Sequence, residues 1–164
     1  MNGEKYNMQT FLPYTDFKKS LESLDDKRLG KQRVETFQIL NNLLGRPKKD
    51  GTPYKGWTNH PCCVMWRGFE NALKEYLNVS IDVWKARGRN NTMQYEEIIG
   101  EVRMPWWIGK EEFHSSHRAN LLRKDPEYYS KHRWKEDPTE PYVWHDKENK
   151  WYKQHVGTGI KEYY

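Results

Sequence analysis

Apolar positions recur at helical spacing in three stretches of the chain. Between Leu24 and Leu44, Leu29, Phe37, Leu40, Leu43 and Leu44 gather on one side of a 3.6-residue wheel, which predicts a helix with a core-facing stripe. Arg28, Gln32 and Glu35 line up on another side, with Lys31, Gln38 and Asn42 beside them. Asp25 and Asp26 suit the positive end of that helix, and Gly45 and Pro47 stop it. From His60 to Arg87 the stripe runs through Met65, Phe69, Leu73, Tyr76 or Leu77, Ser80 and Trp84, widened by Trp66, Ala72, Ile81 and Val83. That predicts one long helix with Pro61 in its first turn and Gly88 as its left-handed cap. A third helix is expected over Lys110–Arg123, where Phe113, His117 and Leu121 share a face and His114 and Arg118 share the next.

Shorter features fill the gaps. Met8 to Tyr14 reads as an extended lead-in packed on the core, and Thr15 or Asp16 caps a short helix through Leu21 and Leu24. Gly45 to Asn59 is a basic loop with a turn at Asp50-Gly51. Thr92 to Val102 is expected to be a short helix, and Met104 to Gly109 an irregular apolar link. Asp125-Pro126 opens a short helix through Tyr128 and Tyr129. Near the C-terminus, Tyr142–Trp144 and Trp151–Lys153 flank a polar hexapeptide, which predicts a small hairpin or else an irregular arm. The expected fold is all-α: a single compact domain of three main helices plus short ones, with that hairpin or arm appended. Residues 1–7 are expected to be a flexible extension, 8–144 the helical domain and 145–164 a tail.

Composition sharpens this. Aromatic residues make up 15% of the 164, with 8 Trp and 11 Tyr, so the chain should fold around rings. The net charge is +5, and a basic chain rich in rings has the composition of a nucleic-acid binder. The two cysteines, Cys62 and Cys63, are adjacent, which excludes a disulfide framework and fits a reducing compartment. No apolar run approaches the ~18 residues of a membrane span, and the polar N-terminus is not a signal peptide. A cytoplasmic protein is expected, nucleoid-associated when bound to DNA.

Nucleotide-binding fingerprints and zinc motifs are missing from the sequence. His114 and His117, at i and i+3, do not make a metal site alone, so neither metal nor other cofactor is expected. Glu35 is the best single candidate for chemistry. Beside Arg28 and Arg33 it should stay ionised, able to stabilise a developing cation or take a proton. The competing reading is a solvated helix face with ordinary ion pairs.

Several segments together carry a resemblance. LDDKRLGKQRVETF (Leu24–Phe37), the stretch from His60 to Gly88, and RKDPEYYSKH (Arg123–His132) resemble the pyrimidine-dimer DNA glycosylase family, the phage endonuclease V-like enzymes. MQTFLPY, LGKQRVE and SHR are similar to a bacterial branch of that family. The resemblance implies a helical domain that binds double-stranded DNA carrying damaged or modified bases, extrudes a nucleotide and cleaves a base–sugar bond. Strand nicking through a Schiff base is a further step it allows, with an amine as nucleophile; Lys31 is the nearby lysine. Glu35 falls on the family's catalytic glutamate, with Arg28, Arg33 and Lys31 around it. Gln32, His60, Arg67, His117, Arg118, Arg123, Lys124, Tyr128 and Tyr129 are the residues expected to meet DNA, the protein acting as a monomer. Seven residues precede MQTFLPY, and Arg28, Val34 and Gln38 stand where the family has a histidine, an arginine and a basic residue. The rival functions are a non-catalytic basic nucleic-acid-binding module and a small adaptor protein.

Overall fold

The computed structural model describes residues 8–53 and 58–164. Residues 1–7, expected to be a flexible extension, and residues 54–57 of the basic loop lie outside the described part. The helices are α1 (Phe17–Glu22), α2 (Asp26–Leu43), α3 (Pro61–Trp66), α4 (Glu70–Ala86), α5 (Glu111–Lys124) and α6 (Pro126–Tyr129), followed by a 3-10 turn at Ser130–His132. Strands β1 (Tyr142–His145), β2 (Trp151–Gln154) and β3 (Lys161–Tyr163) form an antiparallel sheet in the order β1-β2-β3. The all-α expectation is therefore corrected to a mostly helical protein with a small sheet. The β1–β2 hairpin is the expected one, whereas β3 carries no strand pattern of its own and forms by pairing Tyr163 with Tyr152.

Helices α2 and α4 pack together as the main helical pair, with α1 also on α4 and α5 on β1. The buried side of α2 is Leu29, Gln32, Thr36, Ile39 and Leu40, while Phe37 and Leu44 are exposed. A wheel weighted by hydrophobicity misplaces this face, because Gln32 and Thr36 are polar residues inside it. The expected single helix from His60 to Arg87 is two helices. Gly68 adopts a left-handed φ of 91°, which ends α3, and its N–H is accepted by the Glu70 carboxylate at 2.9 Å as α4 begins.

Residues Thr92–Val102 are extended rather than helical. The cause lies on α4. Asn78 donates to the Glu96 carbonyl at 2.9 Å and accepts from its N–H at 2.8 Å, while Asn71 donates to the carbonyls of Ile99 and Glu101. Lys74 reaches the Glu97 carbonyl between them. Two helical turns separate Asn71 from Asn78, about 10 Å, which matches about three residues of extended chain. The helix thus holds the segment straight by its own side chains.

The lead-in, Met8 to Pro13, solves a harder version of the same problem, because it is buried and pairs with no strand. Gln32 accepts from the Phe11 N–H at 2.8 Å and donates to the Gln9 carbonyl at 2.7 Å. The Tyr76 hydroxyl lies 2.7 Å from both the Phe11 carbonyl and Gln32 Oε1. His117 Nδ1 accepts from the Leu12 N–H, and His114 Nδ1 donates to the Leu12 carbonyl, each at 2.8 Å. Trp66 Nε1 donates to Thr10 Oγ1 at 2.9 Å, and Cys62 Sγ to the Met8 carbonyl at 3.4 Å. The lead-in packs on the core as the sequence led us to expect from Pro13; that helix side chains hold its backbone was not part of that expectation.

Gln32→Leu should therefore be far worse than its apolar surroundings imply. It strands a buried N–H and a buried carbonyl, which should cost roughly 2 to 4 kcal/mol. The urea midpoint should fall accordingly with an unchanged denaturant slope.

Candidate active site

The docked lead-in closes one wall of a cavity of about 160 Å³ lined by Phe11, Lys27, Arg28, Lys31, Gln32, Glu35 and Lys124. Five of these seven come from α2, on the successive turns that carry Lys27, Lys31 and Glu35 in one row and Arg28 and Gln32 beside it. Phe11 comes from the lead-in and Lys124 from the last turn of α5.

Glu35 is half-buried in this wall, and burial raises its carboxyl pKa from 4.5 to about 7. Lys31, a hydrogen bond from the Gln9 backbone N–H, and Lys124 each oppose the rise without cancelling it. The expectation of a carboxylate kept fully ionised by Arg28 and Arg33 is thus corrected. Arg28 spends its charge on Asp25, at 3.2 Å. Arg33 turns away from the cavity: its guanidinium lies 4.5 Å from the Trp84 ring centroid and donates to Asn91 at 2.6 Å. Desolvation therefore outweighs the charges that remain.

The other expected site residues divide sharply. Gln32 is fully engaged with the lead-in, so it supports the cavity from inside. His117 is buried among Phe11, Phe113 and Tyr142, and burial holds its pKa far below the ordinary histidine value; it clamps Leu12. Arg118 has all three nitrogens occupied, by Glu136 at 2.9 Å, Pro13 carbonyl at 2.6 Å and Glu111 at 3.0 Å. Tyr129 is buried, with its hydroxyl on Asp25. All four are buried or engaged within the fold, where they act as structural supports. His60 caps α3 by accepting from the Cys62 N–H at 3.1 Å. Arg67 is exposed and donates to the Thr58 carbonyl. Tyr128 is half-buried, with the Lys131 ammonium 3.6 Å from its ring centroid.

Lys124 lines the cavity from the end of α5, with Arg123 beside it in sequence. Lys124 also lines a second hollow, of about 390 Å³, with Arg123, Met8, Gln9, Tyr142, Trp144, Gln154 and the turn from His155 to Gly159. Desolvation, then the positive charges of Arg123, Arg28 and Lys31, lower the pKa of Lys124, while Glu35 pulls it up. Sequence reasoning missed Phe11, Lys27, Tyr142 and Trp144. Lys27 was open to it, in one row with Lys31 and Glu35 at i, i+4 and i+8; the other three come here only through chain crossings that no local spacing signals.

The raised carboxyl has a consequence for stability. Between pH 4.5 and 7 folded Glu35 retains a proton that the unfolded chain has lost, so its contribution to stability falls as pH rises through that window. Glu35→Gln cannot ionise and escapes the loss. The stability of Glu35→Gln relative to wild type should therefore rise by on the order of 1 to 3 kcal/mol between pH 5 and pH 8. Urea unfolding of both proteins at the two pH values measures it, and the difference cancels the titration of His114 and His117.

No helix among the described residues is long and apolar enough to cross a membrane. Neither a curated protein nor a solved structure matches the chain. Residues 8–97 match the pyrimidine dimer DNA glycosylase family, a span that holds the lead-in, Glu35 and the α2–α4 pair and stops short of Lys124 and the sheet. With more than half of its length matched, the chain belongs to the pyrimidine dimer DNA glycosylase family and is a DNA N-glycosylase.

Proposed function

We propose that the enzyme, as a monomer, removes a damaged or modified pyrimidine from double-stranded DNA, with Glu35 acting at the base–sugar bond. The observation that carries this reading is a half-buried carboxyl of pKa about 7 in a cavity whose rim is cationic. A carboxyl in that range is poised near neutral pH to exchange a proton. As the C1′–N bond lengthens, positive charge grows on the sugar, and a neighbouring carboxylate becomes more stable. The site thus stabilises the transition state more than the ground state. Lys27, Lys31 and Arg123 are the cations we assign to flanking phosphates. His60, Arg67 and Tyr128 are further residues we assign to contact with DNA.

Strand nicking requires an amine, and Lys124 is the lysine best suited to supply it. Its lowered pKa raises the neutral fraction, as a nucleophilic lysine needs. Its Nζ would attack C1′ of an abasic sugar, water would leave, and the resulting iminium would acidify C2′. Glu35 would then take the C2′ proton as the 3′ phosphate departs.

Glu35→Gln should lower single-turnover base release from lesion-bearing duplexes by about 100-fold or more while leaving DNA affinity nearly intact. Wild-type release should rise with pH through about 7, and the variant's residual rate should be flat. Equal rates for the two proteins would overturn the assignment.

Borohydride reduction on abasic duplex should link DNA to Lys124, and Lys124→Ala should abolish the link while base release to water persists. A link mapped to Lys31 or to the N-terminal amine would move the nucleophile there.

A further inference from the structure

Helix α2 leaves two large apolar side chains exposed beside Glu35. Val34 is 46% exposed, and Phe37, which the sequence places on the core stripe, is 37% exposed. Scattered exposed apolar residues are ordinary on protein surfaces. These two are set apart by their position. Val34 is the chain neighbour of Glu35, and Phe37 follows within the next turn.

Lys27, Lys31 and Val34 recur at i, i+4 and i+7, so they form one outward row along α2. Lys27 and Lys31 are exposed and line the Glu35 cavity, and Val34 is the next step of the row. At 3.6 residues per turn, Glu35 stands about 100° round the helix from Val34 on one side, and Phe37 about 60° round on the other. The outer face of α2 is thus a pair of cations followed by an apolar ridge, with the carboxyl on one flank of it.

An intact duplex offers phosphates to the cations of such a face, but its base faces are stacked out of reach. Extruding a nucleotide changes that, because the flat faces of the neighbouring bases are uncovered. An apolar side chain inserted there takes those faces out of water and keeps the duplex kinked. Val34 suits the task. Branching at Cβ leaves it one strongly preferred rotamer on a helix, so little freedom is lost on insertion. Lys27 and Lys31, on the same row, match the phosphates of the flanking strand, and that charge commits the face to DNA.

We infer that Val34 enters the gap left in the duplex by the extruded nucleotide, with Phe37 widening the wedge on the side away from Glu35. The inference rests on the glycosylase reading above and adds to it the residues that hold the duplex open while Glu35 reaches the sugar. Both are positioning residues, since neither touches the bond that breaks.

Val34→Ala trims an exposed side chain, so it should unfold in urea as the wild type does. It should slow single-turnover base release from a lesion duplex by about tenfold. Val34→Ile, which keeps a branched apolar side chain, should retain most of the rate. Where the lesion faces a mismatched base, extrusion is easier and the deficit of Val34→Ala should narrow. A fluorescent adenine analogue placed beside the lesion, which brightens when it unstacks, should brighten on binding wild-type protein and brighten less with Val34→Ala. No phosphate contact is lost, so the salt dependence of duplex binding should match that of the wild type. Wild-type release by Val34→Ala, an equal deficit on matched and mismatched duplexes, or a smaller salt slope would overturn the inference. So would wild-type protein that releases the base while the analogue stays dark, which decides the matter without any variant. Wild-type protein that releases no base from any lesion duplex would instead bring down the function on which the inference rests.

Discussion

A buried extended segment with no neighbouring strand must find a hydrogen-bond partner for nearly every backbone group, or lose several kcal/mol. Met8 to Pro13 meets that demand with side chains drawn from α2, α3, α4 and α5. The Leu12 peptide group is held most tightly. His117 accepts from its N–H, and His114 donates to its carbonyl. Those opposite roles need two neutral imidazoles in opposite tautomers, and burial lowers the pKa of both rings. Gln32 repeats the pattern one step earlier, with its amide oxygen on Phe11 and its nitrogen on Gln9. Polar residues in the core are thus a requirement of the segment they hold.

The active-site arrangement depends on that requirement. Gln32 and Glu35 sit about one turn apart on α2, so the residue that fixes the lead-in also fixes the carboxyl's neighbour. Phe11 and Gln9, once in place, desolvate Glu35, and the Gln9 N–H limits how far its pKa climbs. Arginines that would have held the carboxyl ionised are drawn off, Arg28 by Asp25 and Arg33 by Trp84 and Asn91. What remains near Glu35 is lysine, a compact charge that tolerates a shift in pKa better than arginine does.

Much of this was visible in the residues. The helical spans around α2, α4 and α5, the lead-in, the Asp16 and Asp125 caps and the β1–β2 hairpin follow from periodicity and turn chemistry. Glu35 stood out through the resemblance of its helix to the family's catalytic helix; its polar row alone reads as readily as a solvated face. Three things were not visible. Gly68 reads as a tolerated helical glycine, and only its positive φ shows the break. The helical propensity around Glu96 and Glu97 is overridden by Asn71 and Asn78, whose spacing has meaning only once α4 exists. The partners of Arg33 and Arg118 lie 58 and 105 residues away for their Asn91 and Pro13 bonds, beyond the reach of any window along the chain.

That last separation bears on the order of folding. The Leu12 N–H finds its acceptor 105 positions downstream, so the grip on Leu12 closes only after α5 has formed and packed. Before the lead-in docks, Glu35 faces water and has the acidity of an ordinary glutamate. Its shifted proton affinity is acquired when Met8 to Pro13 meet helices made from well-separated parts of the chain. A partly folded chain can carry every helix of the enzyme and still present an ordinary acid to DNA.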